Sequence, residues 1–482
     1  MYRRALVSVM PIALVAQAPA PTLRPPLVSL PAVQSLLASA KGDHPDIAQA
    51  RARMHAEHTR PGPAGALPDP EVSFSVQRIP AMDVMISGDV MAPGGAPLDI
   101  MLSGMVPDRT EYSLSVSQGL PWPGKRAARA NLARESAQRS GVGLHQTTLS
   151  IEGDILAASL DLLVNQGRRR LQEEQARHWE AAEGLAKARL EQGKEGASDT
   201  LRAMQERTRL RMRLLELENQ AQDLADALNR LAARPAGTPV ELQEDILKVA
   251  RPTRPGEAEL LEDLRARNPE WLGTAVDQRS AQAAIASARL DRFPDFRLSA
   301  GVMKGGSMPA GWRADVGVAL PLWSGRKQGR VVAQREAELQ GANAARGSLT
   351  LTLATRARDR ARAWGLAQET LELYERELLP QGEAALEILM ARFQTGGASF
   401  ASLVDALNAL LRDRESHLDA VAQLHRLSIL QYRASLDPAP ALQTGGMGAA
   451  ASTGMALPKA PSMSAPSAGQ AEAAAGPGPM KM

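Results

Sequence analysis

The chain repeats one order of sequence patterns, and this internal repeat limits its possible folds more than any other feature. A helical pattern that opens on proline begins at His44-Pro45-Asp46 and again at Asn268-Pro269-Glu270. Each is followed by two segments of alternating apolar and polar residues and then by a long charged helical pattern. Corresponding positions lie roughly 200 residues apart, far more than the repeat length of a solenoid. The sequence therefore predicts one duplicated half.

Long helical patterns fill most of each half. The two longest span residues 125–192 and 328–393, and each is followed by a shorter return, at 199–234 and 400–435. At 1.5 Å per residue, a helix of about 70 residues extends on the order of 100 Å. A helix of that length needs packed neighbours along its whole course. The sequence therefore predicts long helical hairpins.

Several residues predict the local details of these hairpins. The glycines at positions 141, 143 and 347 weaken a helix interior and indicate irregular turns there. Ser198 and Ser399 follow the hairpin turns and can cap the returning helices. A packed seam on the first return is predicted from apolar residues at three- to seven-residue steps: Leu201, Met204, Leu210, Leu214, Leu217, Leu224 and Leu228.

Four segments alternate between apolar and polar residues, at 72–77, 112–117, 296–300 and 312–320. Such strands are typical of outer-membrane barrels, which face lipid outside and water inside. Half-buried strands of a soluble sheet alternate in the same way, so the pattern alone leaves both structures open. If the strands form a barrel, the lumen is lined by Ser73, Ser75, Ser113, Ser115, Ser117, Arg297, Ser299, Arg313 and Asp315.

Four strands are too few for one chain to close a barrel, because about eight are needed before the interior can hold even side chains. A membrane barrel therefore requires several copies of this chain. The aromatic residues favour that alternative, since barrels carry aromatic girdles at the two membrane interfaces. The aromatic residues in or beside the four segments are Phe74, Tyr112, Trp122, Phe293, Phe296, Trp312 and Trp323.

Composition and motifs exclude several classes of protein. The chain has no cysteine, which rules out a disulfide scaffold, a thiolate zinc site and a thiol nucleophile. Aromatic residues make up 3% of the chain, too few for the core of a large globular enzyme. No catalytic or nucleotide-binding motif is present, so we expect neither an enzyme nor a cofactor. The net charge of +3 is interspersed, and no nucleic-acid partner is expected.

The two ends of the chain differ from its middle. Residues 1–20 have the charged start, short apolar stretch and Ala-x-Ala end of a secretory signal peptide. No later segment reaches the 18 apolar residues of a transmembrane helix. Residues 437–482 are rich in Ala, Pro, Gly and Met and are predicted to be disordered. Between these ends we expect a first repeat at 21–250 and a second at 251–436.

Methionines and histidines raise the question of metal binding. A loop rich in proline and glycine is predicted between the first two strands, and it contains Met82, Met85, Met91, Met101 and Met105. The equivalent second loop contains Met303 and Met308. Thioether sulfur suits Cu(I), although methionine also fills apolar gaps in loops. His55, His58, His417 and His425 form no three- or four-ligand cluster and are predicted on solvated helix faces.

The order of these patterns resembles the TolC-like outer-membrane efflux family over roughly residues 30–436. The resemblance implies a mainly α fold with a small β part. In that fold, three chains share a twelve-stranded β-barrel, with four strands from each, above a periplasmic α-helical barrel. The resemblance also implies that the protein is the outer exit duct of a tripartite efflux pump. The segment Gln118-Gly119-Leu120-Pro121-Trp122-Pro123-Gly124-Lys125 is most similar to the heavy-metal branch, which serves copper/silver or cobalt–zinc–cadmium pumps.

The resemblance also implies roles for particular residues. The hairpin tips that meet a periplasmic membrane-fusion adaptor are Gly193, Lys194, Glu195, Gly196, Ala197 and Ser198 in the first half, and Gly396, Gly397, Ala398 and Ser399 in the second. Asp405 matches an acidic residue at the pore constriction of the family, and Asn408 replaces a second one.

The implied partners are two further copies, the adaptor, an inner-membrane pump of the RND type and outer-membrane lipid. The implied location is the outer membrane of a Gram-negative bacterium. A duct for drugs or for type I protein secretion is an alternative, and so is a soluble periplasmic coiled-coil adaptor or scaffold.

Overall fold

The structure is a computed structural model, and it describes residues 23–79, 82–91, 97–106, 109–191, 197–305 and 309–440. The predicted signal peptide, residues 192–196 of the first hairpin tip and residues 441–482 of the predicted tail lie outside the described residues. Within the described part of the chain, no helix combines the length and apolar character needed to span a bilayer.

The first half consists of short helices, strands and one long helical hairpin. Its helices are α1 (Pro31–Asp43), α2 (Pro45–Thr59), α3 (Pro61–Gly65), α4 (Lys125–Glu191) and α5 (Ala197–Leu231). Its strands are β1 (Glu71–Ile79), β2 (Met82–Met91), β3 (Pro97–Val106) and β4 (Arg109–Leu120). Prolines stand at the first position of α1, α2 and α3, where the missing N–H has no partner to lose.

The second half has a similar order of elements. Its helices are α6 (Glu257–Arg267), α7 (Pro269–Leu290), α8 (Gln328–Leu373), α9 (Leu379–Thr395) and α10 (Phe400–Tyr432), and its strands are β5 (Asp295–Gly305) and β6 (Gly311–Ala319). The predicted long helices and their returns are confirmed to within a few residues at each end. The fold is thus mainly helical with a small β part.

The irregular turn in the long helices is at a proline and not at the predicted glycines. α4 and α8 continue through positions 141, 143 and 347 without a break. A π-helical turn, Tyr374–Leu378, instead separates α8 from α9 just before Pro380. Proline removes one backbone donor and its ring clashes with the carbonyl four residues earlier, and a π turn is one of the usual ways in which a helix accommodates such an interruption.

The four predicted strands form one antiparallel sheet in the order β1-β4-β5-β6. Phe74 of β1 pairs with Leu114 of β4, Leu114 pairs with Val302 of β5, and Val302 pairs with Trp312 of β6. Each strand turns its residues alternately to the two faces. β1 and β6 are the two edges of the sheet.

The predicted methionine-rich loop is wrong, because β2 and β3 occupy most of it as a separate two-stranded antiparallel sheet. The sequence did not indicate these strands, because three consecutive apolar residues at 84–86 and at 100–102 interrupt any alternation and because proline and glycine are concentrated at 92–97. The backbone register puts positions 85, 91, 101 and 105 in one alternating set and position 82 in the other. Met303 also lies in a strand, β5, and Met308 is outside the described residues.

Two apolar clusters form the helical core. The larger one joins α1, α4, α6, α8 and α10 around fully buried residues such as Leu156, Leu160 and Leu427. The smaller one lies toward the second hairpin turn, around Trp179 and the packed rings of Phe393 and Phe400.

The first return helix only partly follows the predicted packed seam. Leu210, Leu217 and Leu228 are buried, as expected, together with Ala203. Leu201 and Met204 are exposed instead, so the prediction is wrong for these two positions. The buried positions 203, 210 and 217 keep a seven-residue step, which the larger side chains at 201 and 204 obscured in the sequence.

Residues 232–256 connect the two halves without a helix or a strand, yet they are packed on the helices. Leu242 and Ile246 are buried, and the Leu242 carbonyl accepts a hydrogen bond from Gln166 Nε2 at 2.7 Å. Arg170 of α4 also forms an ion pair with Asp245 at 3.4 Å. The connection is therefore part of the helical body.

Candidate functional site

All nine predicted lumen residues lie on one face of the four-stranded sheet. The register opposes Ser73 to Ser115 and Ser75 to Ser113, and the hydroxyl oxygens of these pairs are 2.7 Å and 2.8 Å apart. The other five predicted lumen residues lie on the same face by this register, and they are Ser117, Arg297, Ser299, Arg313 and Asp315. Sequence alternation therefore placed these residues on the correct common face.

Among the nine predicted lumen residues, the charged ones are on β5 and β6, whereas Glu71 and Glu111 carry charge on the β1–β4 side of the same face. Ser117 stands opposite Ser299, which stands opposite Asp315. Arg313 lies 3.8 Å from Asp315, and both side chains are more than half exposed. Such exposed pairs contribute at most about 1 kcal/mol, so these groups remain available to water and to solutes.

The opposite face of the same sheet is apolar and exposed. Trp312 is 82% exposed and Phe74 is 66% exposed. Along β4, the apolar residues are exposed while the serines between them are partly buried. A soluble sheet buries its apolar face against a core, and this sheet does the reverse. The apolar face therefore needs an apolar environment outside the chain.

The second hairpin tip is a tight capped turn. Gly396 ends α9 in the left-handed conformation, with φ of 84°, which favours glycine. Ser399 is the predicted cap, and its Oγ accepts a hydrogen bond from the Ser402 amide at 3.2 Å. Gly397 and Ala398 complete the turn.

At the first tip, Gly193, Lys194, Glu195 and Gly196 lie outside the described residues. Ala197 begins α5, and Ser198 lies inside that helix. The prediction that Ser198 caps the helix is therefore wrong, because a cap at 198 would start the helix at residue 199 and α5 begins two residues before that.

Asp405 and Asn408 lie one turn apart on α10, just beyond the second tip. Asp405 is exposed and Asn408 is partly exposed, whereas Leu403 and Leu407 are buried on the other side of the helix. Asp405 has no ion-pair partner within the described part of the chain. The Leu407 carbonyl accepts a hydrogen bond from Gln175 Nε2 of α4 at 3.0 Å, which holds this turn in place.

Polar contacts between α4 and α10 continue away from that turn. Arg168 donates to both oxygens of Asp419, at 2.7 Å and 3.0 Å. Gln172 Nε2 donates to Glu415 at 2.9 Å. Both Arg168 bonds come from one charged nitrogen, Nη2. Charge-assisted bonds are stronger than neutral ones, so this contact helps to hold α4 against α10.

A buried polar network that the sequence did not reveal joins α6, α8 and α10. Arg267 pairs with Asp263 and also donates to the Tyr432 carbonyl at 2.8 Å. Gln431 donates to Asp263 at 2.6 Å and accepts from Arg360 at 2.8 Å. Burial lowers the pKa of Arg360 to about 10. No local pattern distinguishes these residues from exposed helix charges, and only tertiary packing buries them.

Two of the four predicted histidine positions are confirmed and two are wrong. His55 and His58 are exposed on α2, as expected. His417 is instead largely buried and lies 3.1 Å from Glu375. His425 is fully buried, because α4 and α8 both pack on this part of α10. Within the described residues, no group of three or more His, Asp or Glu side chains is arranged to hold a metal ion.

The segment after β4 forms a contact that we call the Trp122 clasp, made by Trp122, Lys125, Phe293, Asp295 and Phe296. The Trp122 ring stacks on Phe293 and Phe296, with centroids 5.3 Å and 5.8 Å away. Lys125 Nζ donates to Asp295 Oδ1 and to the Phe293 carbonyl, both at 2.8 Å. The clasp joins the first long helix to the first strand of the second half, at the foot of the sheet.

Comparison with known proteins gives one family. The family model described as "Outer membrane efflux protein" matches residues 36–234 and 260–429. No curated protein sequence matches the chain.

Several solved structures share the fold. The outer-membrane channel OprN has a TM-score of 0.66 at 18% identity, over 90% of this chain and 98% of that chain. CusC has a TM-score of 0.65 at 15% identity, over 86% of this chain and 98% of that chain. The MtrE outer membrane channel of Neisseria gonorrhoeae has a TM-score of 0.64 at 16% identity, over 90% and 97%. At these identities the likeness shows the fold alone.

Proposed function

The chain belongs to the outer membrane efflux protein family, and from this membership we propose that it is the passive outer duct through which a tripartite pump expels heavy-metal cations. Membership of this family shows that the protein is an outer-membrane efflux channel with a periplasmic helical part. Members are transport components and work with an adaptor and a pump. The outer-membrane location excludes the soluble adaptor or scaffold as an alternative.

The observation that carries the proposal is the sheet with one polar face and one exposed apolar face. Both of its edges, β1 and β6, lack a neighbouring strand within the described residues. Open edges do not occur within a bilayer, because lipid cannot satisfy their backbone groups. We propose that three copies join these edges into a twelve-stranded barrel, with the apolar face toward lipid and the polar face toward the lumen.

The same three copies would also form the periplasmic part. The hairpins of three copies would enclose an α-helical barrel, and the tips around Gly396 and Ser399 would meet the adaptor. The first tip, residues 193–198, has the same proposed role. We also propose that the chain consists of a signal peptide at 1–20, two sequence repeats at 21–250 and 251–436, and a tail at 437–482.

Asp405 is proposed to form the constriction of this duct. Three copies bring three exposed carboxylates together near one end of the helical barrel, and Asn408 adds a neutral layer one turn away. A ring of carboxylates attracts cations, which is the device that many cation channels use.

The constriction is tested by conductance in planar bilayers. Asp405→Ala is expected to reduce the preference for cations, while Asp223→Ala, which removes an exposed acid from α5, leaves it unchanged. Identical cation preference in the two variants would contradict the assignment.

Heavy-metal cargo is proposed on two grounds. The segment Gln118–Lys125 resembles the heavy-metal branch, and methionines occur at positions 82, 85, 91, 101 and 105 of β2 and β3. Thioether sulfur prefers soft cations such as Cu(I). An RND-type pump is the proposed energy source.

Cargo is tested with a deletion strain. We expect it to become sensitive to copper and silver, or to cobalt, zinc and cadmium, and to regain resistance with the intact gene. Sensitivity to hydrophobic drugs alone, or loss of a secreted protein, would replace the metal proposal with one of the alternative cargoes. The outer-membrane channel would stand in either case.

A further inference from the structure

The sequence that forms the Trp122 clasp occurs twice, although the clasp itself occurs once within the described residues. Trp122-Pro123-Gly124-Lys125 follows β4, and Trp323-Ser324-Gly325-Arg326 follows β6. In both segments the amide of the basic residue donates to the tryptophan carbonyl three residues earlier, at 3.1 Å and 3.0 Å. The two segments therefore share a turn as well as a sequence pattern.

The acceptor side of the clasp also occurs twice. Phe293-Pro294-Asp295 leads into β5, and Leu67-Pro68-Asp69 leads into β1. Asp295 holds Lys125, whereas Asp69 is exposed and its carboxylate has no ion-pair partner within the described residues. The donor segment at 323–326 and the acceptor segment at 67–69 therefore form no clasp within the described residues, and we call them the unused segments.

The unused donor segment is unusually exposed. Trp323 is 70% exposed and the adjacent Leu322 is 74% exposed, while Trp122 is partly covered by two rings. Arg326 is exposed and has no ion-pair partner in the described part of the chain. Adjacent large apolar side chains in such a position mark an interaction surface.

The topology of the sheet brings the two unused segments to facing edges. Within the chain, the end of β4 lies beside the start of β5, since Leu120 is opposite Phe296. β6 runs in the direction of β4, and β1 runs in the direction of β5. When β6 of one copy pairs antiparallel with β1 of the next, the end of β6 meets the start of β1 in the same way.

We propose that Trp323 and Arg326 of one copy close on Asp69 of the next copy, and that this second clasp locks the copies together at the foot of the barrel. Arg326 supplies the positive charge that Lys125 supplies within the chain, and Asp69 takes the place of Asp295. Leu67 and Pro70 stand where Phe293 and Phe296 stand, so the Trp323 ring packs on apolar side chains. The inference rests on the proposed shared barrel and names the residues that join its copies.

Charge exchange tests the second clasp, because one chain carries both halves of the contact. Asp69→Arg or Arg326→Asp alone places like charges together, and each is expected to lower the fraction of detergent-extracted oligomer about tenfold or more. The double variant restores opposite charges and is expected to return the oligomer to near its original level. Single variants that leave the oligomer unchanged, or a double variant no better than the singles, would overturn the inference.

Cross-linking gives a second readout that does not depend on stability. The chain has no cysteine, so Leu67→Cys and Trp323→Cys can be carried on separate, co-expressed copies. A short bis-maleimide is expected to join them into a dimer band. The matched control pairs Leu67→Cys with Leu247→Cys, at an exposed site on the helical body, and is expected to give none.

The two tests separate this inference from the proposal on which it rests. If the unchanged chain shows no oligomer in detergent or in membranes, the shared barrel fails. If the oligomer is present but the charge variants and the cross-link have no effect, the second clasp alone fails. Trp323 would then belong to the aromatic girdle that faces the lipid interface.

Discussion

Lys125 Nζ lies 2.8 Å from Asp295 Oδ1, and this ion pair connects the first residue of α4 to the first residue of β5. Lys125 is buried, with 4% of its surface exposed. Its ammonium group also reaches the Phe293 carbonyl, so it is satisfied at a site where an unpaired charge would be costly. The junction between the long helices and the sheet therefore depends on a contact between the two halves of the sequence.

Lys125→Met is expected to lower the free energy of unfolding by about 1–3 kcal/mol, because two charge-assisted hydrogen bonds are lost while the apolar stem is kept. The measurement is urea denaturation of the purified protein in detergent. The matched control is Arg129→Met, since Arg129 and Asp291 are half-exposed and 4.0 Å apart. We expect it to change stability by less than about 0.5 kcal/mol. Equal losses of unfolding free energy in the two variants would show that the Lys125 contact stabilises the protein no more than an exposed ion pair does.

Tyr432→Phe tests the polar contacts between α4 and α10. Tyr432 Oη donates to Glu152 Oε2 at 2.6 Å, and both residues are buried. Loss of this bond leaves one oxygen of a buried carboxylate without its donor, at a cost of about 1–3 kcal/mol. Tyr374→Phe removes a partly buried hydroxyl on the π turn and should leave stability within about 0.5 kcal/mol. If Tyr432→Phe has the same stability as the unchanged protein, water replaces the hydroxyl as the donor to Glu152.

His425 predicts a loss of stability in mild acid. Burial, with a smaller effect of the Arg251 charge, lowers the pKa of His425 to about 4 from 6.5. Between pH 6.5 and 4 the unfolded chain therefore binds a proton that the folded chain does not, and stability falls as the pH falls. The full effect of this residue is about 3 kcal/mol, reached at about pH 4.

His425→Leu is expected to remove that part of the pH dependence, as measured by denaturation at pH 7 and pH 5. His58→Gln, at an exposed position on α2, is the control and should keep the pH dependence of the unchanged protein. If the slope between the two pH values is the same in all three proteins, His425 is not the titrating group.

Gly396→Ala tests the second hairpin turn. Gly396 has φ of 84°, where an alanine costs about 1–2 kcal/mol. Gly397 has no such conformation, and a Cβ there would meet its nearest atoms at 3.6 Å or more. Gly397→Ala is therefore the matched control and should leave thermal stability almost unchanged. A result in which both variants are equally stable would contradict the assigned turn geometry.

Local signals allowed most helix ends to be predicted from the sequence. α10 begins directly after Ser399, and α9 ends at Thr395, directly before Gly396. The shared face of the serines was predictable for a similar reason, since strict alternation fixes the face of each residue whichever strands pair. These features depend on neighbours a few residues away.

The remaining features depend on contacts between distant residues. His425 was expected on a solvated face, but α10 packs against α4, α8 and α9 and has little free surface along its second half. Nor could the charged pair of Arg267 and Asp263 be distinguished from an ordinary surface pair. β2 and β3 were missed for a different reason, because their apolar and polar residues do not alternate strictly and the prolines and glycines between them indicated a loop.

The central claim, that the polar face lines a water-filled duct and the apolar face meets lipid, can be tested at two adjacent residues. Ser115 and Val116 lie on opposite faces of β4, and the chain has no other cysteine to interfere. Single-channel conductance of Ser115→Cys and Val116→Cys is measured in planar bilayers before and after a charged, membrane-impermeant thiol reagent is added. We predict that the reagent changes the conductance of Ser115→Cys and leaves that of Val116→Cys unchanged. A change at Val116→Cys with none at Ser115→Cys, or an equal change at both, would contradict the account.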